Sequence, residues 1–443
     1  MNAQDAVLDH YRRQAGEYLA ASAPETSGLM EKRQRALGRL TEVGVPDRRQ
    51  EAWRYTGIEG LLKADFRPLG EVTPPPARAR VEALCLDADV AGRAVFVDGV
   101  FRAEYSHLQD TAVEVTPLRA ALAAGDRAAL EAIGSLSGAG AHLFEALNLA
   151  TLLDGALIKI GDGHHEARPF ELLHLTTSGA DRHSVNIRHL LQLGREAKMQ
   201  LVERYQSLDD SLCFTNQVME ILLGDGAYLR HERVQMEGAR GYHLGEIHLQ
   251  PGGGSHYRAC LAAIGAAWSR TGLHLRFAEE GAGCEIDGLY LAGDGQLTDH
   301  HLDIDHAVSA CNSRATFKGL LSGQGRAVFD GRVAVQPGAQ KTDAHLGNAN
   351  LMLSRMAEVD TKPQLEIYAD DVQCSHGTTV GQLDEEALFY LRSRGLDAAE
   401  ARRMLSLAFA GEILERFPTA ALREVLTQDV AGRLAQSLDG EEH

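Results

Sequence analysis

Cys374 and His376 stand two residues apart in the run Leu365 to Gly381, where apolar and polar residues alternate as in a strand. Successive strand side chains point to opposite faces, so these two project together while Ser375 points away. A thiolate and an imidazole on one face are a ligand pair suited to iron or zinc. Two ligands do not close a site. A structural zinc site takes four, usually as paired CxxC or HxxxH knuckles, and the sequence contains no such pairing. The missing ligands must come from distant residues, a partner chain or a cargo; the plain alternative is a small buried cysteine beside a hydrogen-bonded histidine.

The densest set of other potential ligands is Asp299-His300-His301-Leu302-Asp303-Ile304-Asp305-His306. If extended, it places Asp299, His301, Asp303 and Asp305 on one face and His300, Leu302, Ile304 and His306 on the other. The first face offers a cation site, or simply meets solvent or a neighbouring strand. Pro251-Gly-Gly-Gly-Ser255 lacks the Lys-Ser/Thr of a phosphate loop and reads as a turn between strands. Asp370 and Asp371 are adjacent and face opposite sides, so they form no acid/base dyad, and no Ser-His-Asp elbow is visible.

The elements that position these residues follow from periodicity. Val7, Tyr11, Ala15 and Leu19 recur at helical spacing, and Pro24-Glu25-Thr26-Ser27 separates them from a second helix ending near Gly44-Val45-Pro46. Pro74-Pro75-Pro76 marks a linker. Arg93 to Phe101 reads as strand, turn and strand, and short helices are expected over Leu118 to Ile133 and Ala141 to Leu153. From about Leu157 to Val380 short alternating runs such as Lys198 to Tyr205, Tyr242 to Leu249 and Arg326 to Val335 are punctuated by glycine. A sandwich or barrel is the default for such a block, and a solenoid suits it equally. Asp397-Ala-Ala-Glu400 then reads as a helix cap, with Ala401, Met404, Leu405, Ala408 and Ile413 as an apolar stripe. A further helix is expected after Thr419, through Leu422, Val425 and Leu426. These helices are expected to pack on each other or on the end of the β block. The regions expected are residues 1–75, helical; 76–156, mixed; 157–384, β; and 385–443, helical.

With 443 residues the chain can bury a sizeable core. Its net charge of −18, from 62 acidic and 44 basic residues, argues against a nucleic-acid partner or an anionic membrane surface. The six cysteines are scattered, and the N-terminus shows no cationic start followed by an apolar run, so a reduced, cytoplasmic protein is expected. No apolar run approaches the roughly 18 residues of a membrane span.

The stretch around Cys374 and His376, with Lys341-Thr342-Asp343-Ala344 and Asn348 to Ser354 before it and Leu388 to Gly395 after it, closely resembles the SufB/SufD family of iron–sulfur cluster assembly proteins. Glu51-Ala52-Trp53-Arg54-Tyr55-Thr56 is similar to the E-x-W-R-Y-T signature of the SufD branch. The resemblance runs from about residue 45 to 417 and is strongest over 310 to 417. A SufB-like chain would carry Cys-Gly-Ala-His after its counterpart of Asn348 to Ser354, whereas Arg355-Met356-Ala357-Glu358 follows here. That departure favours the SufD branch and removes the family's main sulfur-accepting cysteine.

The resemblance implies a mainly β chain with a right-handed parallel β-helix core flanked by helical regions, working as a non-catalytic scaffold. It implies pairing with a SufB-like subunit through the β-helices and docking of a SufC-like ABC ATPase, which hydrolyses the ATP, on the C-terminal helices. His376, with Cys374, would face the partner and offer a ligand to transient iron or a nascent iron–sulfur cluster. A flavin in the assembled complex and a homodimer in isolation are left open. The runner-up is a parallel β-helix enzyme acting on polysaccharide through Asp299, Asp303 and Asp305; an aromatic content of 6% speaks against sugar-binding platforms. Cys85, Cys213, Cys260, Cys284 and Cys311 are expected to be small core residues.

Overall fold

The computed structural model describes residues 3–21, 27–70 and 72–439. Helices α1 (Ala3–Ala21), α2 (Ser27–Val43) and α3 (Glu59–Ala64) open the chain. Of the break expected at Pro24 to Ser27, only Ser27 lies within the described residues, at the start of α2. Short elements follow: β1 (Arg67–Pro68), α4 (Arg78–Glu82), β2 (Gly92–Val97), β3 (Val100–Phe101), β4 (Glu114–Pro117), α5 (Leu118–Ala123), α6 (Arg127–Ala132) and α7 (Leu143–Ala150). Strands β2 and β3 form the expected hairpin, turning at Asp98 and Gly99, both at positive φ.

Sixteen strands then follow in series. They are β5 (Asp154–Ile160), β6 (Phe170–Thr176), β7 (His183–Leu193), β8 (Lys198–Ser207), β9 (Phe214–Leu223), β10 (Tyr228–Met236), β11 (Tyr242–Gln250) and β12 (His256–Ala263). The second eight are β13 (Trp268–Phe277), β14 (Gly283–Ala292), β15 (Leu297–His306), β16 (Asn312–Leu321), β17 (Arg326–Val335), β18 (Asp343–Met352), β19 (Glu358–Ile367) and β20 (Gln373–Gly381). Odd-numbered strands pair in parallel in one sheet and even-numbered strands in the other. This is a parallel β-solenoid, each coil contributing one strand to each sheet. Arg270, Asp299 and Val328 are successive partners, a step of 29 residues each time (299 − 270 and 328 − 299).

Glycine permits the corners. The Pro251 to Ser255 segment links β11 to β12, with Gly254 at φ +62, and a Cβ on Gly252 would lie 2.7 Å from the Leu223 carbonyl oxygen. The turn reading of that segment therefore holds: glycine suits the left-handed backbone at 254 and the close approach at 252.

Alternation sorts the side chains between interior and surface. Phe170, Met219, Ile247, Leu273, Ile286, Leu302 and Phe329 belong to one continuous interior cluster. On the outside of the odd-numbered sheet the N-terminal region packs Tyr11, Leu40, Trp53 and Phe144 against Phe214, Leu244 and Trp268.

Helices α8 (Glu385–Ser393), α9 (Ala398–Leu414) and α10 (Ala420–Asp439) close the chain. Asp397 caps α9 as expected, accepting from the Glu400 amide. The stripe is corrected: Met404 is 46% exposed and Ala408 is exposed too, whereas Ala401, Ser406, Ala410, Ile413 and Leu414 are buried. From Ala401 to Ile413 the buried positions step by five, four and three residues, set by what the helix packs against. Ile413, Phe417, Leu422 and Leu426 cover Val202, Val234, Leu289 and Leu320 on the outer face of the even-numbered sheet. The helices therefore lie along the solenoid's flank, and among the described residues β20 keeps its outer edge unpaired.

The interior also holds polar groups. His300 is fully buried between the rings of Tyr290 and Phe317, and neither ring nitrogen has a hydrogen-bond partner. Burial pushes its pKa down to about 4, and does the same for His189 and His306. A histidine held neutral in the fold stabilises it above the unfolded pKa near 6.5, and that contribution is lost as pH falls from there towards 4. His274 opposes this trend: Glu246 beside it overcomes burial and raises its pKa. Stability to urea should decline between pH 6.5 and 4, and His300→Phe should flatten the slope by about one proton's worth while leaving stability at pH 7 intact. An unchanged slope in the variant would show that His300 does not report this burial.

Candidate functional site

Among the described residues strand β20 pairs with β18 alone, opposing Cys374 to Ala344 and His376 to Leu346. Ala344 and Leu346 are interior residues, and Cys374 packs against the same cluster. Cys374 and His376 thus lie on the inward-facing side of the last coil. With no further coil beneath them, Cys374 is only half-buried and His376 is exposed. Burial, with Asp343 adding to it against the Ala344 backbone, pushes the Cys374 thiol up, so a metal must displace its proton to bind. No group of three or more His, Cys, Asp or Glu side chains among the described residues is arranged to hold a metal ion. Cys374 and His376 therefore lie together on a strand edge left unpaired among the described residues.

The Asp299 to His306 strand is β15, and its faces divide as expected: His300, Leu302, Ile304 and His306 are buried, while His301, Asp303 and Asp305 are half-buried outside. The carboxylates are already engaged. Asp303 pairs with Arg332 at 2.8 Å, and Asp305 with Arg276 at 3.5 Å and Gln336 at 2.8 Å. Asp299 is buried against Arg270, His301 and the Thr56 hydroxyl. Burial alone would raise its carboxyl, but His301 and Arg270 outweigh it and hold it down to about 2. This arrangement leaves neither an acid to protonate a glycosidic oxygen nor a free cation cage.

The same residues explain the Glu51 to Thr56 segment. Trp53 lies with its ring 4.0 Å from the Arg270 guanidinium, Thr56 donates to Asp299, and Glu51 reaches Lys362. The segment is a clip that fastens the N-terminal region across β13, β15 and β19.

Two further constellations appear only in three dimensions. Inside the coils, buried Glu203 accepts from His231 at 2.9 Å and from Tyr205, with Arg233 at 3.3 Å, and Arg233 donates to His243 at 2.7 Å. Burial opposes ionisation of Glu203, and Arg233 foremost holds its carboxyl well below the usual carboxylate range. On the outer face, Ser375 and His345 Nδ1 are 2.6 Å apart and His345 Nε2 is 2.7 Å from Asp343. This serine sits mid-strand, not on the sharp strand-to-helix turn that lifts a nucleophile above its surroundings. The pattern invisible along the sequence is a register column: His345 faces Ser375 from a neighbouring coil.

Of the cysteines, Cys213, Cys260, Cys284 and Cys311 are buried, Cys85 is half-buried, and all are unbridged. No helix among the described residues is long and apolar enough to cross a membrane.

The family model for the SUF system FeS cluster assembly, SufBD core domain, matches residues 174–409, more than half of the chain. The chain belongs to the SufB/SufD family of iron–sulfur cluster assembly proteins. It is 34% identical to iron–sulfur cluster assembly protein SufD of Escherichia coli over 411 residues, 92% of each chain. It is also 34% identical to an iron–sulfur cluster assembly SufBD family protein of Synechocystis over 94% of each chain, and 27% identical to the chloroplastic protein ABCI7 of Arabidopsis thaliana over 98% of this chain and 93% of that one.

Asp299→Asn should lower stability by about 3–5 kcal/mol in urea denaturation, because it leaves the Arg270 charge buried without its counter-charge. A variant as stable as the parent would return Asp299 to the groups available for chemistry.

Proposed function

We propose that this chain is a SufD-type scaffold subunit, non-catalytic and cytoplasmic, that pairs with a SufB-like chain and carries a SufC-like ABC ATPase. The observation that carries this reading is the unpaired edge of β20 with its incomplete ligand set. An edge strand presents a row of unsatisfied amides and carbonyls, which a partner's strand satisfies. Such a partner would also bring further ligands to His376 and Cys374, around iron or a nascent iron–sulfur cluster handled as cargo. A second copy of the chain can occupy the same edge in isolation.

The ATPase is assigned to residues 385–443. Helix α8 buries none of its residues; Phe389 is 75% exposed and Tyr390 56%. Adjacent aromatic side chains left in water mark a protein interaction site. Helices α9 and α10 fix α8 to the flank of the solenoid, so ATP-driven movement of a docked partner can pull on the coils themselves.

His376→Ala should reduce iron or cluster content of the co-purified complex by at least about tenfold. Thermal unfolding and partner recovery should stay unchanged, since the side chain is exposed. A poorly folded variant with normal iron per folded complex would overturn the ligand assignment. Independently, Phe389→Asp should abolish recovery of the ATPase in pull-downs from the parent cytosol without altering the melting temperature; full recovery would move the docking surface elsewhere.

A further inference from the structure

The outer face of the even-numbered sheet is only partly covered by the C-terminal helices. On its uncovered area a single register row runs Arg230, Arg258, Glu285, Arg314, His345, Ser375, across β10 to β20. Neighbouring strands are about 4.8 Å apart, so these side chains form a continuous polar ladder. Arg416, just past α9, stands over it as a wall. Between them lies an open groove of about 640 Å³.

The charges lining this groove do not cancel. Arg416 pairs with Asp287, Arg258 approaches Glu285 at 3.6 Å, and His345 is committed to Asp343 and Ser375. Each carboxylate in the groove thus faces a cation or an imidazole. Arg314 and Lys341 also line it, both exposed, and neither meets a carboxylate within ion-pair distance among the described residues. On a chain of net charge −18, two unpaired cations in one polar concavity stand against the prevailing field.

We infer that this groove binds a small diphosphate group, with Arg314 gripping it through its guanidinium fork and Lys341 supplying a second point charge. A guanidinium matches phosphate oxygens two at a time, and a second phosphate gives the Lys341 ammonium on the same groove its own partner. The groove holds more than a bare diphosphate, so it admits either inorganic pyrophosphate or a nucleoside diphosphate. Ser375, on the groove side of β20, lies between Cys374 and His376 on the other face.

Calorimetric titration of the full chain with inorganic pyrophosphate at low salt tests this. Saturable binding is expected, weakened about tenfold or more by Arg314→Gln and by Lys341→Asn, which respects the left-handed backbone at 341, and unchanged by Arg127→Gln on a distant helix. Both variants alter exposed side chains, and thermal unfolding verifies that each is folded. A parallel titration with ADP separates the sources: tighter binding than pyrophosphate supports a nucleoside diphosphate, equal binding the diphosphate alone. No saturation below about 1 mM pyrophosphate, variants that bind like the parent, or tighter binding of citrate would each overturn the assignment.

Discussion

Everything in this molecule hangs on the parallel hydrogen-bond ladder, in which each strand satisfies its backbone against the strand two before and two after it. Such a ladder has no internal reason to stop. One end is closed by antiparallel pairing, β2 with β3 and β4 with β5, which reverses the chain direction. The other ends at β19 and β20, whose outer edges pair with no strand among the described residues. The interior exposed there is the same interior that holds the core together elsewhere, so Cys374 and His376 on the last coil reach an open edge without any special loop.

The ladder also explains how a strongly acidic chain tolerates so many buried charges. Stacked coils bring residues about 29 positions apart face to face, and a carboxylate on one coil finds arginine or histidine on the next. Arg270 with Asp299, Arg332 with Asp303, and Arg188 with Glu220 are all such neighbours. Charges paired in this way specify which coil stacks on which, a task that interchangeable apolar side chains perform less sharply.

What was legible in the sequence was local. The cap at Asp397, the hairpin at Asp98-Gly99 and the two-faced pattern of Asp299 to His306 depend on residues a few positions apart, and the structure shows each of them. The parallel coiling was carried by the family resemblance, because strand alternation is the same in a sandwich as in a solenoid. Met404 and Ala408 were misplaced in the buried stripe because which face of a helix meets its neighbours is set by tertiary packing. Asp343, His345 and Ser375 meet across coils, and Trp53 meets Arg270 across more than two hundred residues. Neither relation leaves a mark in spacing.

That last separation bears on how the protein is made. Coils can stack on their predecessors as they emerge, since each needs only the one before it. The clip cannot: Thr56 must wait for Asp299, 243 residues later, and Glu51 for Lys362, 311 residues later. At about 5–20 residues per second, the first of these intervals is roughly 10 to 50 s. During synthesis Trp53 therefore remains without Arg270, and the fastening of the N-terminal region marks a chain whose solenoid is nearly complete.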